Sequence, residues 1–203
     1  MTSTLTALAI SCTLKPSPAE SSSDLLARQL LDALSAHDVS GDMVRAVDFD
    51  IRPGVEKDMG DGDQWPALRR RMLAADILVF VTPTWMGQHS SVAQRVLERL
   101  DAELSETDDQ GRPILFDKVA IAGVLGNEDG AHHISAILFQ ALDDIGYTIP
   151  AQASVYWNGE AMQTVDYKDL EETPEKVASA IQTAARNAAH LARQLTAQPY
   201  PAS

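Results

Sequence analysis

The chain has one cysteine in 203 residues, Cys12. That excludes an internal disulfide and any zinc or iron–sulfur centre built from several thiolates. Positive charge is also scarce. The 16 Lys and Arg stand against 29 Asp and Glu, a formal charge of −13, which opposes general attraction to nucleic acid or to an anionic membrane surface. Any anionic ligand must therefore be held by local groups. No apolar run approaches the roughly 20 residues of a membrane-spanning helix, and no internal repeat is evident. The opening MTSTLTALAISC has no Lys or Arg ahead of a short apolar part, unlike a secretory leader. It reads as a first strand, and cytoplasmic residence is the expectation. The length suits one well-buried α/β domain over residues 1–203, with about 196–203 as a frayed tail.

The rest is organised around Ala75 to Leu100, AADILVFVTPTWMGQHSSVAQRVLERL. Ile77 to Val81 is a continuous apolar run rich in β-branched residues, the pattern of a strand buried on both faces. Thr82 to His89 reads as a loop because Pro83 lacks a ladder donor and Gly87 is conformationally free. That loop carries Trp85 and Met86, where ordinary turns carry small polar residues. They either cap the core or face a ligand, since loops at the carboxyl ends of α/β strands are where ligands bind. Ser90 or Ser91 caps a helix whose apolar positions are Val92, Val96, Leu97 and Leu100.

Two further strand–loop–helix units repeat this plan. Leu5 to Ser11 reads as the first strand, followed by CTLKPSPAESSS, a loop with five hydroxyl groups and Lys15, and then a helix through Leu26, Leu30 and Leu34. Such a helix start can bind phosphate through free N–H groups and the helix dipole. The alternative is an ordinary serine-capped helix. Lys118 to Leu125 is another buried strand, ending in Gly126-Asn127-Glu128-Asp129-Gly130 before a helix over His132 to Ile145. His132 and His133 at that start are either ligand contacts or exposed polar residues.

The remaining elements complete an alternating series. Met43 to Phe49 is predicted as a polar edge strand, Trp65 to Ala74 as a helix with Pro66 in its first turn, and Ala153 to Trp157 as a short fifth strand. The last helix is predicted from Pro174 to about Leu195 with Thr173 as N-cap. Asp58, Asp61 and Asp63 lie between the second strand and its helix without EF-hand spacing, so that segment reads as a solvated loop. Five strands alternating with five helices imply a parallel sheet with helices on both faces, in the order 2-1-3-4-5. The three singled-out loops then converge at one edge. Phosphate at the first and a planar ring against the other two would satisfy them together.

On these residues the chain resembles the flavodoxin-like superfamily, a three-layer α/β/α fold, and within it the NAD(P)H-dependent FMN reductases. The most specific stretch is ADILVFVTPTWMGQHSS, residues 75–91. The resemblance implies that Pro83, Thr84, Trp85, Met86 and Gly87 contact the ring and ribityl chain of FMN. It implies that Ser11, Thr13, Lys15, Ser21, Ser22 and Ser23 form the phosphate loop, and that Gly126, Asn127, Glu128, Gly130 and Ala131 approach the ring edge. The implied activity is FMN-dependent transfer of hydride from NADH or NADPH to a flavin, quinone or similar small-molecule acceptor. The flavin carries the chemistry, so no side chain is assigned as catalytic and no metal is needed. A homodimer or higher homo-oligomer is expected, with no nucleic-acid or membrane partner. The alternative functions are a flavodoxin-like electron carrier without its own NAD(P)H activity, and a scaffold that binds no flavin. Flavodoxin's Thr-x-Thr-Gly-x-Thr loop is absent, which favours the reductase branch.

Overall fold

The computed structural model describes residues 4–201. Its strands are β1 (Leu5–Ser11), β2 (Val39–Arg45), β3 (Ile77–Trp85), β4 (Gln88–His89), β5 (Val119–Gly126) and β6 (Ser154–Asn158). Its helices are α1 (Ser22–Ser35), α2 (Trp65–Ala74), α3 (Ser91–Leu100), α4 (Ala131–Asp144) and α5 (Glu175–Ala197). The main sheet runs β2-β1-β3-β5-β6, all parallel, and the two-residue β4 pairs antiparallel with β3. Without that hairpin strand the order is the expected 2-1-3-4-5.

Alternation along the strands divides the core in two. Ala7, Ala9, Ile77, Val79, Val81, Val119 and Ile121 pack against α1 and α5. Leu8, Ile10, Leu78, Phe80, Ala120, Ala122 and Val124 face the opposite way and pack against α2, α3 and α4. A strand covered on both faces has no polar side, which is why the central segments read as unbroken apolar runs.

Three elements differ from the sequence reading. The second strand lies over Val39–Arg45 rather than Met43–Phe49, and Ala46–Asp48 form a 3₁₀ turn. As an edge strand paired only with β1, β2 tolerates the polar segment Ser40 to Asp42, so hydrophobicity misplaces its start. β3 extends through Pro83 to Trp85. Its pairing with β1 stops at Val81 while that with β5 continues to Pro83. Pro83 thus sits where β3 has become an edge, the position in a sheet that accepts a residue without an N–H. Finally, Pro174 rather than Thr173 occupies the N-cap of α5, and α5 ends at Ala197.

The tail beyond α5 is tethered rather than frayed as far as Tyr200. The Tyr200 ring packs on Phe116, its N–H donates to Asp117, and its carbonyl accepts from Arg112.

Candidate functional site

At the carboxyl edge of the sheet, α1 begins with three serines. The side chain of Ser21 caps the helix by accepting from the Asp24 N–H at 3.4 Å. The N–H groups of Ser22 and Ser23 fall in the first turn and have no acceptor within the helix. The acidic Asp24 would spoil an anion site if it faced outward. Instead it is buried, accepting from Arg45 Nε and from the Ser11 hydroxyl, each at 2.7 Å. Arg45 also donates to the carbonyls of Lys15 and Ala19, so one buried guanidinium fixes the loop and neutralises the carboxylate beneath it. Glu20 sits at the surface, 3.9 Å from Lys168.

The second wall comes from β3 and its hairpin. Met86 and Gly87 both have positive φ, at 52° and 72°, the signature of a two-residue type I′ turn joining Trp85 to Gln88. Ser90 ties this unit to the first loop. It caps α3 through the Ala93 N–H, donates to the Cys12 carbonyl at 2.7 Å, and its own N–H donates to the Thr82 hydroxyl. Cys12 is fully buried behind the loop, and burial pushes its thiol pKa well up. It stays protonated and unreactive. Thr84 is 4% exposed, and its Oγ1 has no hydrogen-bond partner among the described residues.

The third wall is the loop after β5. Glu128 accepts the Met86 N–H and so braces the hairpin. Gly130 has φ 147°, and a Cβ there would lie 2.9 Å from the Gly87 Cα. Glycine is required because the two backbones touch. A Cβ on Gly126 would likewise lie 2.7 Å from the Thr84 Cβ.

These walls enclose one cleft of about 440 Å³, within the usual range for a small-molecule site. Its lining includes the expected Thr13, Lys15, Ser21, Ser22 and Ser23 from the first loop, and Pro83, Thr84 and Trp85 from the second. From the third it takes Gly126, Asn127 and Glu128. Five expected residues lie outside the lining. Ser11 is turned into the interior toward Asp24, Ala131 is buried in the core, and Met86 projects from the hairpin tip at 91% exposure. Gly87 and Gly130 pack on each other and set the hairpin instead. His132 and His133 also stay off the cleft, bonded to the Tyr156 hydroxyl and the Gln88 side chain.

Five lining residues come from outside the three predicted strand–loop–helix units: Trp157 near the end of β6, and Ala161, Met162, Asp166 and Tyr167 from the connection to α5. Tyr167 is buried, with its ring 5.5 Å from that of Trp157 and its hydroxyl donating to Gln29 Oε1 at 2.7 Å. Burial, outweighing its hydrogen bonds, raises its pKa and keeps it a neutral phenol. Only the Tyr-Trp pair near a strand end signalled this wall in the sequence.

The group implied by the resemblance makes three demands, and the residues present fit them. A phosphate needs free donors, which the start of α1 and Lys15 supply. A planar ring needs apolar walls, supplied by Trp85, Leu125 and Trp157. Its polar edge needs a partner, and the unpaired Thr84 hydroxyl is one.

Comparison with known proteins places the chain in a family. A family model described as NADPH-dependent FMN reductase matches residues 5–163. A divalent metal cation transporter, MntH, of Mycobacterium bovis is 42% identical over 169 residues, 81% of this chain. The chain spans only 25% of that transporter. The 8-demethyl-8-aminoriboflavin-5′-phosphate synthase of Streptomyces davaonensis is 31% identical over 208 residues, covering 97% of this chain and 80% of that protein. A crystal structure of RosB with bound intermediate 8-demethyl-8-formylriboflavin-5′-phosphate matches with TM-score 0.87 and 31% identity. The match covers 97% of this chain and 82% of that one.

Proposed function

The chain belongs to the NADPH-dependent FMN reductase family, flavin-dependent oxidoreductases, and on that premise we propose that it draws hydride from NADH or NADPH through FMN held in the cleft. The electrons pass to a flavin, quinone or similar small acceptor, and the working unit is a homodimer. The observation that carries the reading is the convergence of free donors at the start of α1 with the unpaired, buried Thr84 hydroxyl in one apolar-walled cleft.

When bound, FMN supplies the hydride-accepting ring. The chain's own residues bind and orient. Ser22, Ser23 and Lys15 hold the phosphate, so the local field overcomes a chain charge of −13. Thr84 fixes one polar edge, and Trp157 with Tyr167 excludes water from the α5 side. Gly126 leaves the main chain free to lie close to the ring edge. Trp85 is 55% exposed, so this end of the cleft stays reachable by a nicotinamide.

The experiment is anaerobic titration of the purified protein with NADH and with NADPH, followed by mass spectrometry of the released flavin. Bleaching of the flavin absorbance by at least one nucleotide, with unmodified FMN recovered, is the expected result. A coloured protein that neither nucleotide bleaches returns the carrier reading.

A second reading is favoured by the Streptomyces davaonensis relative, whose name makes a riboflavin 5′-phosphate derivative its product. In it the flavin phosphate is a substrate modified in this cleft. The same mass spectrum separates the two, because modification changes the flavin mass.

A further inference from the structure

The connection from β6 to α5, Gly159–Thr173, crosses the cleft as a strap. Its first end is tied to the third loop, with the Gly159 N–H donating to the Gly126 carbonyl at 2.8 Å and Asn127 Nδ2 donating to the Gln163 carbonyl at 3.2 Å. Its other end is tied to α1, where Gln29 binds both the Tyr167 hydroxyl and the Thr173 hydroxyl, each at 2.7 Å. Between these anchors Met162 lines the cleft and yet is fully exposed. The match to the family model ends at residue 163, inside the strap. The part that reaches α1 lies beyond that match.

The strap meets the phosphate end at Lys168. The Lys168 N–H donates to Ser22 Oγ at 3.2 Å. A hydroxyl that accepts from an amide keeps its own hydrogen to donate, so Ser22 can hold the strap and a phosphate oxygen together. The Lys168 ammonium is paired with Asp169 and lies 3.9 Å from Glu20. Both carboxylates are exposed, and such pairs hold weakly against a competing anion. A phosphate at the start of α1 would draw the ammonium inward, as a charge-assisted bond in a less solvated place.

We propose that the strap Gly159–Thr173 is a cover that closes on the ligand's phosphate through Ser22 and Lys168, selecting flavin 5′-phosphates over flavins without a phosphate. The inference rests on the flavin reading of the cleft. Without a phosphate, Lys168 is held to the start of α1 by the Ser22 bond and the long, exposed pair with Glu20, so the middle of the strap is held less firmly than with one.

The test is titration of flavin-free protein with FMN and with riboflavin, read by quenching of tryptophan fluorescence. Hydrogen exchange of residues 161–168 is measured alongside. Lys168→Ala is expected to weaken FMN binding about tenfold and to leave riboflavin within about twofold, with Lys168→Arg restoring most of the loss. Ser22→Ala shifts the ratio the same way. FMN slows exchange across the strap, and riboflavin does not. An unchanged FMN-to-riboflavin ratio in Lys168→Ala, or equal protection by both flavins, overturns the proposal while the cleft reading survives. If neither flavin binds the wild-type protein, both fall.

Discussion

At the scale of single residues, the sharpest demand in the site is the Thr84 hydroxyl. A buried hydroxyl without a partner costs free energy in the ligand-free protein, so its replacement by the isosteric Thr84→Val is expected to leave thermal stability equal or slightly higher. Flavin affinity is expected to fall about tenfold, because the bound ring then loses that bond. Calorimetry of the free protein and flavin titration read the two effects separately. A stability loss with unchanged affinity would show that Thr84 is a core residue. The donors at Ser21 to Ser23 were legible in the sequence because a cap is a local device, written next to the helix it starts. Arg45 and Tyr167 were not. They come from distant segments, and only the sheet order brings Arg45 under the loop before α1.

At the scale of elements, the β3–β4 hairpin and the loop after β5 act as one unit, held where Gly130 meets Gly87. Gly130→Val places a Cβ 2.9 Å from the Gly87 backbone in a conformation that valine resists. The hairpin must move. The expected outcome is a folded protein with weakened flavin binding and enhanced proteolysis near Met86, and unaltered proteolysis would count against the contact. The segment before α2 is a largely exposed loop, as its composition predicts, but the Asp63 carboxylate is buried in it and pairs with Arg99 at 2.7 Å. Arg99 also donates to the carbonyls of Arg52 and Glu56. Burial raises the Asp63 pKa, but the bonds from Arg99 and from the Met59, Trp65 and Arg52 amides outweigh it and hold the carboxyl well below the usual range. A depressed folded pKa gives stability that is present above the unfolded value, near 3.9, and lost as pH falls through the folded one. Asp63→Asn should therefore cost about 3–5 kcal/mol near pH 7, by leaving Arg99 unpaired, and should flatten the acid-unfolding limb below about pH 4. Urea titrations at several pH values check both. Sequence pattern missed this pair because Asp63 and Arg99 lie on different elements. It missed the length of β3 because a proline normally ends a central strand, and here the neighbouring strand ends first.

At the scale of the whole molecule, the order of alternating elements was legible because each buried strand announces itself as an apolar run and parallel crossovers leave few topologies. The strap was not legible, since its polar, irregular sequence has no period to read. The assembled fold also leaves apolar side chains exposed. Met86 at the hairpin tip and Tyr156 on β6 are both exposed, and α4 links the two elements, with His133 bonded to Gln88 and His132 to Tyr156. They lie at the sheet's carboxyl edge, and an exposed apolar patch there would favour association. Two copies, each with a formal charge of −13, repel one another, so a dimer built on this patch must be held by apolar contact. Salt screens that repulsion over about 10 Å at 0.1 M. The expected result is a light-scattering mass of two 22.0 kDa chains whose dissociation constant falls as salt rises. Met86→Glu, at the hairpin tip, should shift the protein to monomer without loss of fold by circular dichroism. A dimer that weakens with salt would instead be held by ion pairs, and one that persists in Met86→Glu would place the interface elsewhere.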